Sequence, residues 1–289
     1  MRPHIILLVA FAAIAPGSAP PEIFAPGVIS TGHEFTVTFT PDGREAYFTR
    51  STPQPRSMHV MHSVMKGGVW QAAEPVSFSG DAWFDLDPAL SPDGKRMYFV
   101  STRPRPSQVG TAAASRDMDI WYADRAGDGW SAPHWIEALS SDAKEGAPTV
   151  DRNGTLCFFS DRGASANANA IYCAQPSGGG WTTPTRLNAN INAGPSDTSP
   201  FLSPDGKTLL FYSTRSGGMG KADLYVSFMR SGEWQRAVSL GPVVNTADSE
   251  YNPEVSPDGN SLYFGRNGAI LVVPIAELDA KLISPAMFR

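Results

Sequence analysis

The stretch Pro88-Ala89-Leu90-Ser91-Pro92-Asp93-Gly94-Lys95-Arg96-Met97-Tyr98-Phe99-Val100-Ser101 recurs, with variation, along nearly the whole chain. Related copies begin at Val37, Pro148, Pro200 and Pro253, and their turn glycines are Gly43, Gly94, Gly154, Gly206 and Gly259. The spacings of 51, 60, 52 and 53 residues suit one four-stranded blade with its loops, so five copies predict five blades. Within a copy, Pro-Asp-Gly specifies a tight turn: proline sets φ, aspartate bonds its own backbone and glycine accepts a positive φ. The apolar run that follows, Met97-Tyr98-Phe99-Val100 or Leu209-Leu210-Phe211-Tyr212, reads as a strand buried on both faces. A third strand begins at Asp119-Ile120-Trp121 or Asp223-Leu224-Tyr225, and a glycine-bearing turn then leads to Trp70, Trp130, Trp181 or Trp234 and a final strand.

The fold class predicted is all-β, a single five-bladed propeller of four-stranded blades. The last repeat runs through Ser261-Leu-Tyr-Phe264 and Ala269-Ile-Leu-Val-Val-Pro274 but lacks a Trp-led final strand. The segment from Pro21 to Thr31 resembles the repeat endings, so it is expected to supply that strand and close the ring, hiding sheet edges.

The run Ser-Pro-Asp-Gly-Lys, an aromatic strand, Ser-Thr-Arg, then Asp-Ile-Trp or Asp-Leu-Tyr resembles the TolB-type, WD-like β-propeller repeat family of exported bacterial proteins. The resemblance covers roughly residues 22 to 275. It implies a binding or scaffolding propeller with protein or cell-wall partners. It identifies no ligand, because such folds carry many functions.

Composition narrows the remaining classes. The chain has 289 residues with 42% hydrophobic and 18% charged residues, enough to bury a large core, and the repeats assign that core to one domain. A formal net charge of -5 supplies no basic field, which disfavours nucleic acid. Residues 1–19 read as a secretory signal: Arg2 and His4, then the apolar Ile5-Ile6-Leu7-Leu8-Val9-Ala10-Phe11-Ala12, with cleavage between 12 and 19. Residues 20–275 form the propeller and 276–289 a short tail with one helical turn at 276–280. The mature protein is expected to be a periplasmic or secreted monomer that does not span a membrane.

Two features bear on chemistry. An acid stands three residues before each first position of the copies: Glu34, Asp85, Glu145, Asp197 and Glu250. First strands line a propeller's channel, so these carboxylates are candidates for its mouth, where they would bind a partner, hold calcium through several oxygens, or act in pairs on a glycosidic bond. The alternative is a scaffold role, each acid paired with Arg50, Arg103, Arg162, Arg215 or Arg266. Five-bladed propeller glycosidases place acids on inner strands, but none of their repeat-specific motifs is recognisable here.

The second feature is copy two, which deviates most. It carries an insertion at residues 103–116 and, upstream, Asp81-Ala-Trp83-Phe84-Asp85-Leu-Asp87, an aromatic pair beside carboxylates that suits carbohydrate or peptide. His33, next to Glu34, joins the candidates. His59 and His62, three apart on a strand, face opposite ways, so no histidine metal site is expected. No Gly-x-Ser-x-Gly elbow and no α/β domain support a serine nucleophile. Cys157 and Cys173, both in copy three, are candidates for one bridge across a hairpin, with two buried thiols as the alternative.

Overall fold

The computed structural model describes residues 19–53, 56–108, 117–163 and 168–288. The expected signal segment, up to residue 18, lies outside the described residues, as do residues 109–116 of the copy-two insertion.

Five antiparallel sheets surround one axis, and their innermost strands are Glu34–Phe39, Asp85–Leu90, Glu145–Val150, Asp197–Leu202 and Tyr251–Val255. Each inner strand neighbours those of the adjoining blades, so the ring closes. The turn after each inner strand is the repeated one. Its glycine sits at φ between +66° and +83°, where a Cβ is strained. Four of the five turns are pinned alike: Thr40, Ser91, Ser203 and Ser256 donate to Asp42, Asp93, Asp205 and Asp258.

The outer strand predicted after each tryptophan is broken in two. In blade one, Val69–Trp70 and Glu74–Pro75 each pair with the third strand, Arg56–Lys66, and blades two and four repeat this. Strand twist makes a long outer strand drift from its partner, and the break lets the tryptophan fold inward. Trp130 and Trp234 are buried accordingly.

Closure falls where the sequence places it. Glu22 and Ile23 pair with Val272 and Leu271, beside the strand Ala269–Pro274, and Phe24 N–H continues the ladder to Ile270 O at 2.8 Å. The Ser30 hydroxyl then both accepts from Ile270 N–H and donates to Ile270 O. Phe24 packs edge-on against Phe39, Trp70 and Tyr263, joining first and last blades in one aromatic cluster. The tail is docked rather than free: Ile275, Leu278, Ile283 and Phe288 enter the core of blades four and five. Its turns are 3₁₀, at Ile275–Glu277 and Pro285–Phe288.

In blade three, Cys157 and Cys173 occupy paired positions on adjacent strands and are bonded to each other. The bridge closes a separation of 16 residues. Replacing both by serine is expected to lower stability by about 3 kcal/mol, the loop entropy of a ring this size, read from the urea midpoint. An unchanged midpoint would mean that the hairpin is already held in the unfolded chain.

Candidate functional site

The five repeated acids are fully buried, and each meets the arginine of its own blade. Arg50 Nε donates to Glu34 at 2.6 Å, Arg103 to Asp85 at 2.7 Å, Arg162 to Glu145 at 2.8 Å, Arg215 to Asp197 at 2.8 Å and Arg266 Nε to Glu250 at 2.7 Å. Each guanidinium also donates to a carbonyl of the loop arriving from the preceding blade: Ile29, Phe78, Leu139, Ile191 or Val244. These are clamps between blades. Because each acid is turned to its own arginine, the five do not present free oxygens at a common mouth. Among the described residues no group of three or more His, Cys, Asp or Glu is placed to hold a metal ion.

The clamps are not alike. In blade one, burial acts to raise the Glu34 pKa, but bonds from Thr31 and Arg50 prevail and hold it below the usual carboxylate range. In blade three burial prevails over Ser141 and Arg162, and Glu145 is pushed up. Blade two is the driest: burial raises Asp85 despite Arg103 and lowers Arg103 despite Asp85.

The loops that arrive at the acids differ as well. Thr31, Ser141 and Thr246 give both a hydroxyl and an N–H to their acids, and the positions aligned with them in blades two and four are Gly80 and Ala193. From the clamped carbonyl to the acid, the blade-two loop is also longer than its counterparts, running from Phe78 to Asp85. Among the described residues Asp85 Oδ2 and Arg103 Nε have no hydrogen-bond partner.

The same loop carries Trp83, 38% exposed. Trp83 borders a groove of about 500 Å³ with Ser77, Phe78, Arg103, Trp130, Ser131 and Pro133. Phe78 is fixed by stacking on Phe99, with centroids 4.6 Å apart, and Arg103 lies over both rings. The described part of the insertion is anchored nearby, Arg105 donating to both oxygens of Asp119. His33 is exposed on its loop and reaches Glu34 only through its backbone N–H. His59 and His62 go to different partners, Asp81 and Glu45.

Other residues line the channel itself. Each inner strand slips register two residues after its acid, and this turns Thr36, Asp87, Ala147, Ser199 and Asn252 toward the axis. Four of them adopt positive φ, from +46° to +52°, while β-branched Thr36 does not. Asp87 accepts from Thr36 Oγ1 at 2.9 Å and from Ala147 N–H at 3.1 Å, and burial pushes its pKa up. The constriction leaves only about 20 Å³.

Beyond it the channel widens toward the repeated turns into a funnel of about 220 Å³, floored by Thr38, Ala89, Thr149, Phe201 and Glu254. Glu254 is the channel acid that the repeat pattern did not bring forward. The column holding it is otherwise hydroxyl or apolar, and that disagreement was the available signal.

The architecture and its channel define a five-bladed β-propeller. No family model and no curated protein matches the sequence. Among solved structures the fold is similar to TolB from Acinetobacter baumannii, with TM-score 0.51 and 19% identity over 83% of this chain and 54% of that one. It is also similar to a putative TolB from Agrobacterium tumefaciens, with TM-score 0.50 and 18% identity over 81% of this chain and 69% of that one. The α-L-arabinofuranosidase of Podospora anserina, solved with cellotriose, gives TM-score 0.50 and 13% identity over 88% and 94%. The chain spans about half the length of the Acinetobacter TolB. At these identities the likeness is one of fold. No helix among the described residues is long and apolar enough to cross a membrane.

Proposed function

We propose that this propeller is an exported binding module that seats a cell-envelope partner in the blade-two groove. The observation that carries the reading is the lengthened loop, which departs from the repeated clamp and puts an indole in solvent over an otherwise rigid aromatic floor. Deviation from a repeat is not explained by the scaffold. Among the described residues of the groove the one cation, Arg103, is already committed to Asp85, so it contributes little charge to recognition. Flat ring faces with the hydroxyl residues Ser77 and Ser131 beside them suit the neutral rings of a glycan better than a charged peptide. The apolar start of the sequence and the TolB-like fold support export to a periplasm or beyond.

The test is retention of purified mature protein on peptidoglycan and a panel of polysaccharides, with released soluble sugar measured in parallel. Retention without release is expected, and Trp83→Ala should weaken it roughly tenfold, the loss of a hot-spot aromatic. Retention indifferent to Trp83 would remove the groove from the account, and no retention at all would point to a protein partner. The hydrolytic alternative draws little support from the repeated acids, since each is buried against an arginine. Sugar release abolished by Glu34→Gln, Asp85→Asn or Asp197→Asn would restore it.

A further inference from the structure

A carboxyl group bonded by a single hydroxyl among the described residues stands at the floor of the funnel, at the end of the channel away from Trp83. Glu254 lies there with Thr38, Thr149 and Phe201, and the tail brings Phe288 to the wall. The one hydrogen bond found for the carboxyl among the described residues comes from Thr38 Oγ1, at 3.3 Å. Thr38 is itself occupied as an acceptor from Leu90 N–H. Burial pushes the Glu254 pKa well above the usual carboxylate range. An ionisable group so sparsely bonded at the floor of a cavity is the kind that marks a binding site.

We propose that the funnel binds an alkylammonium group, its nitrogen on the Glu254 carboxylate and its carbon chain against the rings of Phe201 and Phe288. The two rings are tilted at 51° with centroids 6.1 Å apart, and a ring face attracts a cation. The cation supplies the missing partner. An anion meets Glu254 and, one layer deeper, Asp87, whose oxygens are already bonded to Thr36 and Ala147. Arg152 is the other charged side chain on the lining and is exposed. A neutral polyol would need no carboxylate. The inference does not depend on the groove at Trp83.

The same chemistry comes from a free amine or from a lysine side chain. Calorimetric titration with n-butylammonium, N-acetyl-lysine methylamide and n-butanol separates these sources from plain apolar filling. Butylammonium is expected to bind and butanol not. Since burial raises the Glu254 pKa, binding at a pH where the carboxyl is protonated should release a proton and tighten about tenfold per pH unit. Glu254→Gln should weaken binding at least tenfold and lose the proton release. Lysine amide binding as well assigns a protein source, and butylammonium alone a free amine. Equal binding of butanol, or an unaffected Glu254→Gln variant, would overturn the proposal.

The variant also controls for folding. Since the folded-state pKa is raised, the unfolded chain gives up the Glu254 proton first, and stability falls as pH rises from the ordinary 4.5 toward the folded-state value. Glu254→Gln should therefore melt higher than the parent at neutral pH, and lost binding cannot be ascribed to unfolding.

Discussion

Replacing Arg215 by alanine is expected to destabilise the propeller by about 3–5 kcal/mol, the cost of leaving a buried carboxylate without its counter-charge. Asp197 is fully buried, and beyond Arg215 it keeps one donor from the arriving loop, the Gly194 N–H at 2.8 Å. The guanidinium does more than neutralise. It bonds Ile191 O at 2.7 Å and Ser213 Oγ at 2.8 Å and lies 4.5 Å from the ring centre of Tyr225, so it ties loop, inner strand and third strand together. Urea unfolding of the variant reads the loss directly. Pairing Arg215→Met with Asp197→Asn should recover much of it, because the pair is worth less than the damage of breaking it. A loss under about 1 kcal/mol would place the clamp among solvated surface ion pairs.

That clamp shows how far the sequence could be read. The acid and the arginine recur at fixed offsets in every copy, and both a ligand ring and a scaffold pair were consistent with the spacing. Spacing along a strand does not tell whether a side chain points down the channel or back into its own blade. The register slip two residues later decides it, by turning Asp87 and its counterparts to the axis and leaving the acids behind. The blades, their turns and the closing strand were legible because each rests on local chemistry repeated five times. Glu254 falls inside the copy that begins at Pro253, and its departure shows only when the five residues of one layer are compared side by side. The loop at Trp83 was visible as an irregularity. Its effect on the blade-two clamp was not, because that depends on which loop groups reach the acid: blades one, three and five supply a hydroxyl where blade two has Gly80 and blade four Ala193.

Phe24→Ala is expected to cost about 3–5 kcal/mol, the range for a buried phenylalanine, with the loss concentrated at the seam. Phe24 is 8% exposed and touches Phe39 and Trp70 of blade one and Tyr263 of blade five, so one ring joins the chain's first described strand to both sides of the closure. The pairing it secures is short, two residues of ladder with Phe24 N–H and Ser30 extending it. Two residues cannot hold a strand alone. Without the ring, the segment should leave the strand Ala269–Pro274 and expose its edge to other chains. Hydrogen exchange should therefore quicken first at residues 269–274, with the protection of blade three little changed, and association should rise with protein concentration. Uniform loss of protection would mean that the ring unfolds as one unit, and that the seam is no weaker than any blade.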